Sequence, residues 1–204
     1  MLQYLIRTFG YNQPFTISEV EYKDFSRTWK YNCITKLCEK GDVVHLERDV
    51  YYVSKKNKFG IVPFNAMKLI EKRYIQDDEK VTGYYVGQYL LYELGLSKVN
   101  PKTIEIYSNY ETQRSKVVNI CGNRLLLHKP RTKIDKHNAP VLCFLELMNG
   151  IDVETLDEYK RKLISDYINE NRITQKQITK YIPYFPDKTC RNLIESEVIY
   201  HVTQ

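Results

Sequence analysis

The sequence has few of the residues that mark disordered, fibrous or membrane-spanning chains. Glycine occurs eight times and proline seven times in 204 residues, which excludes collagen-like and proline-rich chains. The longest apolar runs, such as residues 141–145, are far shorter than the roughly 20 residues that cross a bilayer. Residues 1–9 form no basic-then-apolar leader. We therefore expect a globular cytoplasmic protein that does not contact a membrane.

Catalytic and metal-binding motifs are also missing. None of the five cysteines stands in a Cys-x-x-Cys pair, and no glycine-rich phosphate loop or Gly-x-Ser-x-Gly elbow occurs. We expect buried free thiols, no metal, no cofactor and no enzymatic activity. One alternative stays open, because Asp77, Asp78 and Glu79 form a carboxylate cluster of the kind that holds magnesium in nucleic-acid-processing enzymes. The surrounding stretch is more typical of an exposed loop.

The charge balance is basic but only mildly so. Lysine and arginine number 31 against 25 aspartates and glutamates, which gives a net charge of +6. Residues 1–60 carry 10 basic and 7 acidic side chains, a net of +3. This excess suits an acidic partner such as nucleic acid, but it is also common in proteins that bind none.

The first sixty residues predict helices followed by a hairpin. An apolar-faced segment at 2–9 precedes Thr16 and Glu19, which have the spacing of a capping box. A second helix is predicted to begin at Ser26 and to end before Gly41. Strands at 43–46 and 50–53 follow, joined by a turn at 47–49. This order predicts a winged helix-turn-helix DNA-binding domain over residues 1–58.

The helix that begins at Ser26 has two different faces. At about 100° per residue, Ile34 and Leu37 share one face, while Thr28 and Asn32 point the opposite way. The outer face has short polar side chains, which is what reading base edges in a major groove requires. A basic residue at the hairpin tip is expected to reach a phosphate or a minor groove. The predicted DNA-binding residues are Ser26, Arg27, Thr28, Lys30, Tyr31, Asn32, Thr35, Lys36 and Arg48.

The lysines that follow the hairpin have two interpretations. Lys55, Lys56 and Lys58 either add phosphate contacts or belong to a solvated linker. The boundary between the two domains is expected within residues 55–63.

Residues 59–204 predict a larger α+β domain with a helical C-terminal end, so that the whole chain belongs to the α+β class. The predicted elements are helices at 64–74, 83–94, 141–149, 154–169, 174–181 and 187–195, and strands at 103–108, 115–120 and 124–128. The tail at 173–194 is either a second helix-turn-helix or a helical cap, and we favour the cap. In the cap, Ile178, Ile182, Leu193 and Ile194 would pack onto the core.

Part of the sequence resembles the AbiEi-like antitoxins of bacterial abortive-infection, type IV toxin–antitoxin systems. Residues 26–28, 37–44 and 48–52 resemble the N-terminal domain of that family. Residues 84–96 look like the family's helix that closes on Gly-Leu, and residues 101–107 look like the strand after it. The likeness covers roughly residues 15–150 and lies in the order of the elements and in the general character of their sequences. Two residues depart from it, because Lys30 stands where the family usually has an apolar residue and Asp49 replaces a glycine of the wing.

The resemblance implies a transcriptional repressor of its own operon that binds inverted repeats in its promoter. It also implies that the C-terminal domain acts as an antitoxin against a companion nucleotidyltransferase toxin, with direct contact and action on the toxin's target both open. No long heptad seam occurs, so we expect a monomer that pairs on repeated double-stranded DNA. The alternative, from a different functional class, is a winged-helix protein-interaction module that does not bind DNA.

Overall fold

The computed structural model describes residues 1–62, 64–78 and 80–202, and of His201 only the backbone. The chain divides into two compact units, Met1–Ile70 and a second unit from Glu71 onward. The division lies after Ile70, whereas the sequence prediction placed it after Lys58. Helix accounts for 45% of the chain and strand for 22%, and most strand pairs are antiparallel, as the predicted α+β class requires.

The first unit alternates helices with short strands. In chain order its elements are α1 (Leu2–Phe9), β1 (Pro14–Thr16), a 3₁₀ turn (Ile17–Glu19), α2 (Arg27–Glu39), β2 (Val43–Glu47), β3 (Val50–Val53), β4 (Lys56–Asn57), β5 (Gly60–Ile61) and the first part of α3 (Ala66–Tyr74). The predicted helix after Ser26 and the predicted pair of strands are confirmed. β4 and β5 form a second hairpin. It contains lysines for which the sequence allowed two interpretations, phosphate contacts or a solvated linker.

A three-stranded antiparallel sheet with the order β1-β3-β2 supports α2 in the first unit. β1 was not predicted, and it pairs Phe15 with Tyr51. Phe15 is almost fully buried and its ring stacks on Phe9 with 4.8 Å between centroids. The core of this unit consists of Leu5, Phe15, Ile17, Val20, Ile34, Val43, Tyr51 and Val53.

The second unit has a sheet followed by a helical region. After α3 its elements are β6 (Gln76–Asp77), β7 (Lys80–Val81), β8 (Gly83–Val86), α4 (Gly87–Glu93), β9 (Thr103–Ser108), β10 (Ser115–Ile120), β11 (Asn123–His128), α5 (Ala139–Gly150), a 3₁₀ turn (Val153–Thr155), α6 (Glu158–Glu170), α7 (Gln175–Tyr181), a 3₁₀ turn (Ile182–Tyr184), α8 (Asp187–Glu195) and a 3₁₀ turn (Val198–His201).

The sheet of the second unit has the order β10-β11-β9-β8, and only its β11–β9 pair is parallel among the strands described. The three predicted strands are confirmed within one residue at their ends. The helix predicted at 83–94 is wrong over its first four residues, because Gly83–Val86 pairs with β9 instead. Residue 83 is a glycine because the backbone of Tyr74 lies too close for a side chain. A Cβ on Gly83 would lie 2.1 Å from the Tyr74 carbonyl oxygen.

α5 lies at the centre of the second unit's core. Its side chains from Val141 to Leu145 are all buried, and α7 and α8 pack against it. The Asn192 side-chain amide of α8 donates to the carbonyl oxygens of Met148 at 2.7 Å and Ile151 at 3.0 Å.

These contacts agree with the helical-cap interpretation of the tail, except at one residue. Ile178 and Leu193 are buried, as expected. Ile194 is 58% exposed, so its predicted packing onto the core is wrong. At about 100° per residue, the inward face of α8 already holds Thr189, Asn192 and Leu193, and Ile194 points away from that face.

Two further expectations fail locally. The helix predicted from residue 154 begins at Glu158, because Asp157 caps it by accepting the Lys160 backbone N–H at 2.8 Å. Buried thiols were expected, but Cys121 and Cys190 are exposed, because Cys121 lies in the turn between β10 and β11 and Cys190 lies outside the buried face of α8. Among the described residues, no helix has the length and apolar character needed to cross a membrane.

Candidate nucleic-acid interface

The start of α2 is held by hydrogen bonds to its cap residue. The Ser26 hydroxyl oxygen accepts the Trp29 backbone N–H at 3.3 Å. Upstream, the Glu19 carboxylate accepts the Thr16 backbone N–H at 2.7 Å, as the predicted capping box requires. Such bonds satisfy donors that a helix end leaves open. The first turn of α2, which carries Arg27 and Thr28, is therefore fixed in position.

The two faces of α2 differ as the periodicity predicts. Ile34 is fully buried on the inner face, and Leu37 is half-buried beside it. The opposite face is open to solvent, with Tyr31 exposed by half. The predicted residues that are exposed on or before α2 are Ser26, Arg27, Thr28, Tyr31, Asn32, Thr35 and Lys36.

A groove of about 330 Å³ lies between the start of α2 and the tip of the β2–β3 hairpin. Four predicted residues line it together: Arg27, Thr28, Tyr31 and Arg48. The remaining lining residues are Ile17, Asp49 and Tyr51. Two guanidinium groups against one carboxylate make this lining net basic, and the hydroxyl groups add hydrogen-bond donors and acceptors. The groove is therefore suited to an anionic group or to the polar edge of a base.

The hairpin tip has a left-handed residue at Arg48, with φ of 44°. Asp49, which stands where the antitoxins that the sequence resembles have a glycine of the wing, is not the left-handed residue. The His45 ring N–H donates to the Arg48 carbonyl oxygen, which holds the turn. The exposed guanidinium group of Arg48 is thereby carried at the outermost point of the hairpin.

Tyr51 forms the floor of the groove. Burial raises the pKa of its hydroxyl, and the neighbouring Tyr31, Cys38 and Asp49 raise the pKa further. Its ring lies 4.8 Å from the His45 ring. The hydroxyl of Tyr51 therefore stays protonated well above neutral pH.

The other predicted residues of α2 do not line the groove. Asn32 and Lys36 are exposed on its outer face. The Thr35 hydroxyl donates to the Tyr31 carbonyl oxygen at 3.0 Å, so its proton is already used within the helix. Lys30 is half-buried, and at about 100° per residue it lies on the side opposite Thr28 and Asn32.

An aromatic cluster beside the start of α2 was missed by sequence reasoning. The Phe25 and Trp29 rings stack with 4.0 Å between centroids, and Tyr22 stacks against Trp29 at 6.1 Å. Phe25 and Trp29 remain 39% and 36% exposed. The Lys23 ammonium lies 5.6 Å from the Tyr22 ring centroid. The spacing of the aromatic residues at 22, 25 and 29 is the signal in the sequence from which this cluster could have been predicted.

The carboxylate cluster that suggested a magnesium enzyme is only partly described. Asp77 is exposed at the end of β6, and Asp78 has a left-handed backbone in the following turn. Glu79 lies outside the described residues. Within the described part of the chain, no three histidine, cysteine or acidic side chains are grouped so that they could hold a metal ion.

No protein-family model matches this chain, and no curated protein matches it significantly.

Proposed function

We propose that this chain is a cytoplasmic protein that binds double-stranded DNA through its first unit and represses its own transcription. In this proposal the first unit is a winged helix-turn-helix, α2 is the recognition helix and the β2–β3 hairpin is the wing. The observation that carries the proposal is the groove in which Arg27, Thr28, Tyr31 and Arg48 lie together. It joins the start of the helix to the tip of the hairpin, where a duplex would contact both.

The dimensions and chemistry of α2 support major-groove binding. A helix with its side chains is about 10–12 Å across, and the major groove of B-DNA is about 12 Å wide. Arg27 and Asn32 have the bidentate geometry that recognises guanine and adenine edges. Arg48 at the wing tip would neutralise a phosphate or enter a minor groove.

The first unit also departs from an ordinary helix-turn-helix. The helix before α2 is a single 3₁₀ turn, and residues 20–26 make a longer connection than the usual 3–4-residue turn. The stacked rings of Tyr22, Phe25 and Trp29 lie at this connection. In the proposed function they brace the longer connection, so that the first turn of α2 still meets the duplex at a fixed angle.

The decisive experiment is an anisotropy titration of the full chain on the DNA upstream of its own gene, at low and at physiological salt. The wild type should bind in a salt-sensitive way, because contacts to Z phosphates make affinity fall with a slope of about −0.9Z. Arg27→Ala combined with Asn32→Ala should weaken binding strongly, since each base contact is worth about 1–3 kcal/mol.

The matched control replaces the same two residue types at exposed positions of the second unit, Arg191→Ala with Asn119→Ala. This control should bind like the wild type. Equal binding by all three proteins would contradict the assignment of α2, and absence of wild-type binding at low salt would contradict DNA binding altogether.

We further propose, from the antitoxin resemblance alone, that the second unit counteracts a companion nucleotidyltransferase toxin. Co-expression with a nucleotidyltransferase encoded beside this chain tests that role independently of DNA binding. The Arg27→Ala, Asn32→Ala protein should restore growth as well as the wild type does. Failure of both proteins to restore growth would remove the antitoxin role and leave the repressor role intact.

A second candidate function has its own supporting observation. The stacked Phe25 and Trp29 rings are more than one-third exposed, and aromatic residues are enriched in the cores of protein interfaces. A protein-docking module would use this surface and would not need Arg27. If the wild type fails to bind DNA at low salt, Phe25→Ala and Trp29→Ala become the variants to test in partner capture.

A further inference from the structure

The hairpin formed by β4 and β5 has an exposed aromatic residue at its tip. Lys56 pairs with Ile61 and Asn57 with Gly60, so Lys58 and Phe59 form a two-residue loop. Phe59 is 86% exposed, the highest fraction among the large hydrophobic residues described. Its ring is therefore free to contact a partner, as exposed aromatic side chains do when they stack or insert.

The hairpin is also the most basic stretch of the first unit. Between Asp49 and Glu71 the chain has four lysines and no acidic residue. Lys55, Lys56 and Lys58 are all exposed on the hairpin. The Lys58 ammonium lies 5.0 Å from the Phe59 ring centroid, so a cation accompanies the aromatic tip.

The hairpin is anchored at its base. The Val62 backbone N–H donates to the Lys55 carbonyl oxygen at 2.8 Å. The Lys55 backbone N–H donates to Asn12 Oδ1 at 3.2 Å, and the Lys56 ammonium lies 3.4 Å from Asp42 Oδ1. At the loop, Asn57 Oδ1 accepts the Phe59 backbone N–H at 2.9 Å. These contacts hold the hairpin in place, so Phe59 is carried on an ordered tip and not on a solvated linker.

From this geometry we propose that the β4–β5 hairpin is a second DNA contact, in which Phe59 inserts between stacked base pairs and the lysines neutralise the flanking phosphates. The inference rests on the proposed function of the first unit. β3 has four residues, so the two hairpins leave its ends about 10 Å apart. The Lys56–Asp42 pair places this hairpin near the C-terminal end of α2, because Asp42 follows that end by three residues. A duplex that lies along the outer face of α2 would therefore pass from Arg48 towards this hairpin. Apolar wedges inserted in this way bend a duplex by about 20–90°.

The test measures DNA bending separately from DNA binding. The probe is a duplex of about 30 base pairs from the upstream region, labelled at its two ends for energy transfer. Wild-type protein should raise the transfer efficiency on binding. Phe59→Ala should bind but lose that rise, because the wedge is gone and the lysines remain. Ile61→Ala, an exposed apolar residue of the same hairpin away from its tip, should keep the rise.

The lysines are tested by salt dependence. Changing Lys55 and Lys58 to glutamine should make the fall of log affinity with log salt shallower by about 2, since each phosphate contact contributes about 0.9. Lys56 is kept because it anchors the hairpin to Asp42. An unchanged slope would remove the hairpin from the interface.

The outcomes separate the two proposals. Binding without bending by the wild type, or bending that Phe59→Ala retains, overturns the wedge and leaves the repressor intact. Absence of wild-type binding overturns both. If Phe59→Ala instead abolishes binding to phosphatidylserine vesicles while DNA bending is unchanged, the hairpin is a membrane contact and the wedge is wrong. Circular dichroism of the variants at Lys55, Lys58, Phe59 and Ile61 should match that of the wild type, because these side chains are exposed.

Discussion

α2 and α5 have nearly the same length but opposite surfaces. Both lie wholly within the described residues; Ile34 is the one buried residue among the 13 of α2, whereas eight of the 12 residues of α5 are buried. α5 has a single charged residue, Glu146, while α2 carries four. A helix that is apolar all round stabilises a core, and a helix held on one side leaves a surface for a ligand. Substitutions in α5 should therefore cost stability, and substitutions in α2 should cost binding.

The largest contrast is expected between two aromatic residues changed to alanine. Phe144→Ala in α5 should lower the free energy of unfolding by about 3–5 kcal/mol, because the fully buried ring leaves a cavity. Tyr31→Ala in α2 should change it by no more than about 0.5 kcal/mol, because the ring is half exposed. Urea unfolding followed by circular dichroism measures both, and similar losses in the two variants would contradict the division of roles.

The next largest effect on the free energy of unfolding is expected at Glu146, the single charged residue of α5. The Arg131 guanidinium donates to the Glu146 carboxylate at 2.7 Å, and Glu146 is almost buried. Glu146→Gln should cost about 1.5–3 kcal/mol of unfolding free energy, as the loss of a hydrogen bond between charged groups does. The pair Glu146→Leu with Arg131→Met removes both charges and should cost less than Glu146→Gln. If the double variant loses more unfolding free energy than Glu146→Gln does, packing dominates at this position and the ion pair does not.

The buried thiol of α5 predicts a pH dependence. Burial raises the pKa of Cys143 to about 12 from an ordinary 9.0, and the nearby Glu146 also raises it, while a hydrogen bond with Tyr167 lowers it. The unfolded chain therefore releases this proton first, and stability falls as the pH rises from 9 towards 12, by up to about 1.4 kcal/mol per pH unit. Cys143→Ala should show a shallower fall between about pH 9 and about pH 11. Identical slopes for the two proteins would contradict the raised pKa.

The smallest effect is expected at the cap of α2. Ser26→Ala should cost about 1 kcal/mol, because the Trp29 backbone N–H loses its acceptor, whereas Ser26→Gly should cost only a few tenths. Hydrogen exchange at the Trp29 amide measures this locally. If alanine and glycine have the same effect, the hydroxyl contact does not hold the helix start.

The sequence predicted those elements whose signals are local. α2 was found from its cap Ser26, its terminating Gly41 and its periodic apolar face, and the structure confirms all three. The strands β9 to β11 were predicted from three short apolar runs, of which the first two contain β-branched residues and the third contains leucines. The groove residues Arg27 and Arg48 were also named in advance, because one starts a helix and the other occupies a hairpin turn.

The missed features depend on pairing between distant segments. β1 has only three residues and becomes a strand because Phe15 pairs with Tyr51. β8 has only four residues and runs directly into α4, so its strand-favouring tyrosines and valine do not stand apart from the helical pattern, and its pairing with β9 decides the outcome. The lysine-rich sequence of the β4–β5 hairpin is equally typical of a linker, and its anchors, Asn12 and Asp42, lie far upstream.

The position of Trp29 also has a spectroscopic consequence. It is the one tryptophan of the sequence, it stacks on Phe25 beside the start of α2, and about one-third of it faces water. An indole in that position changes its emission when a neighbouring surface is covered or a nucleobase stacks close to it. Selective excitation of tryptophan would thus follow occupancy of the α2 surface in the unlabelled protein, with no background from the tryptophan-free second unit.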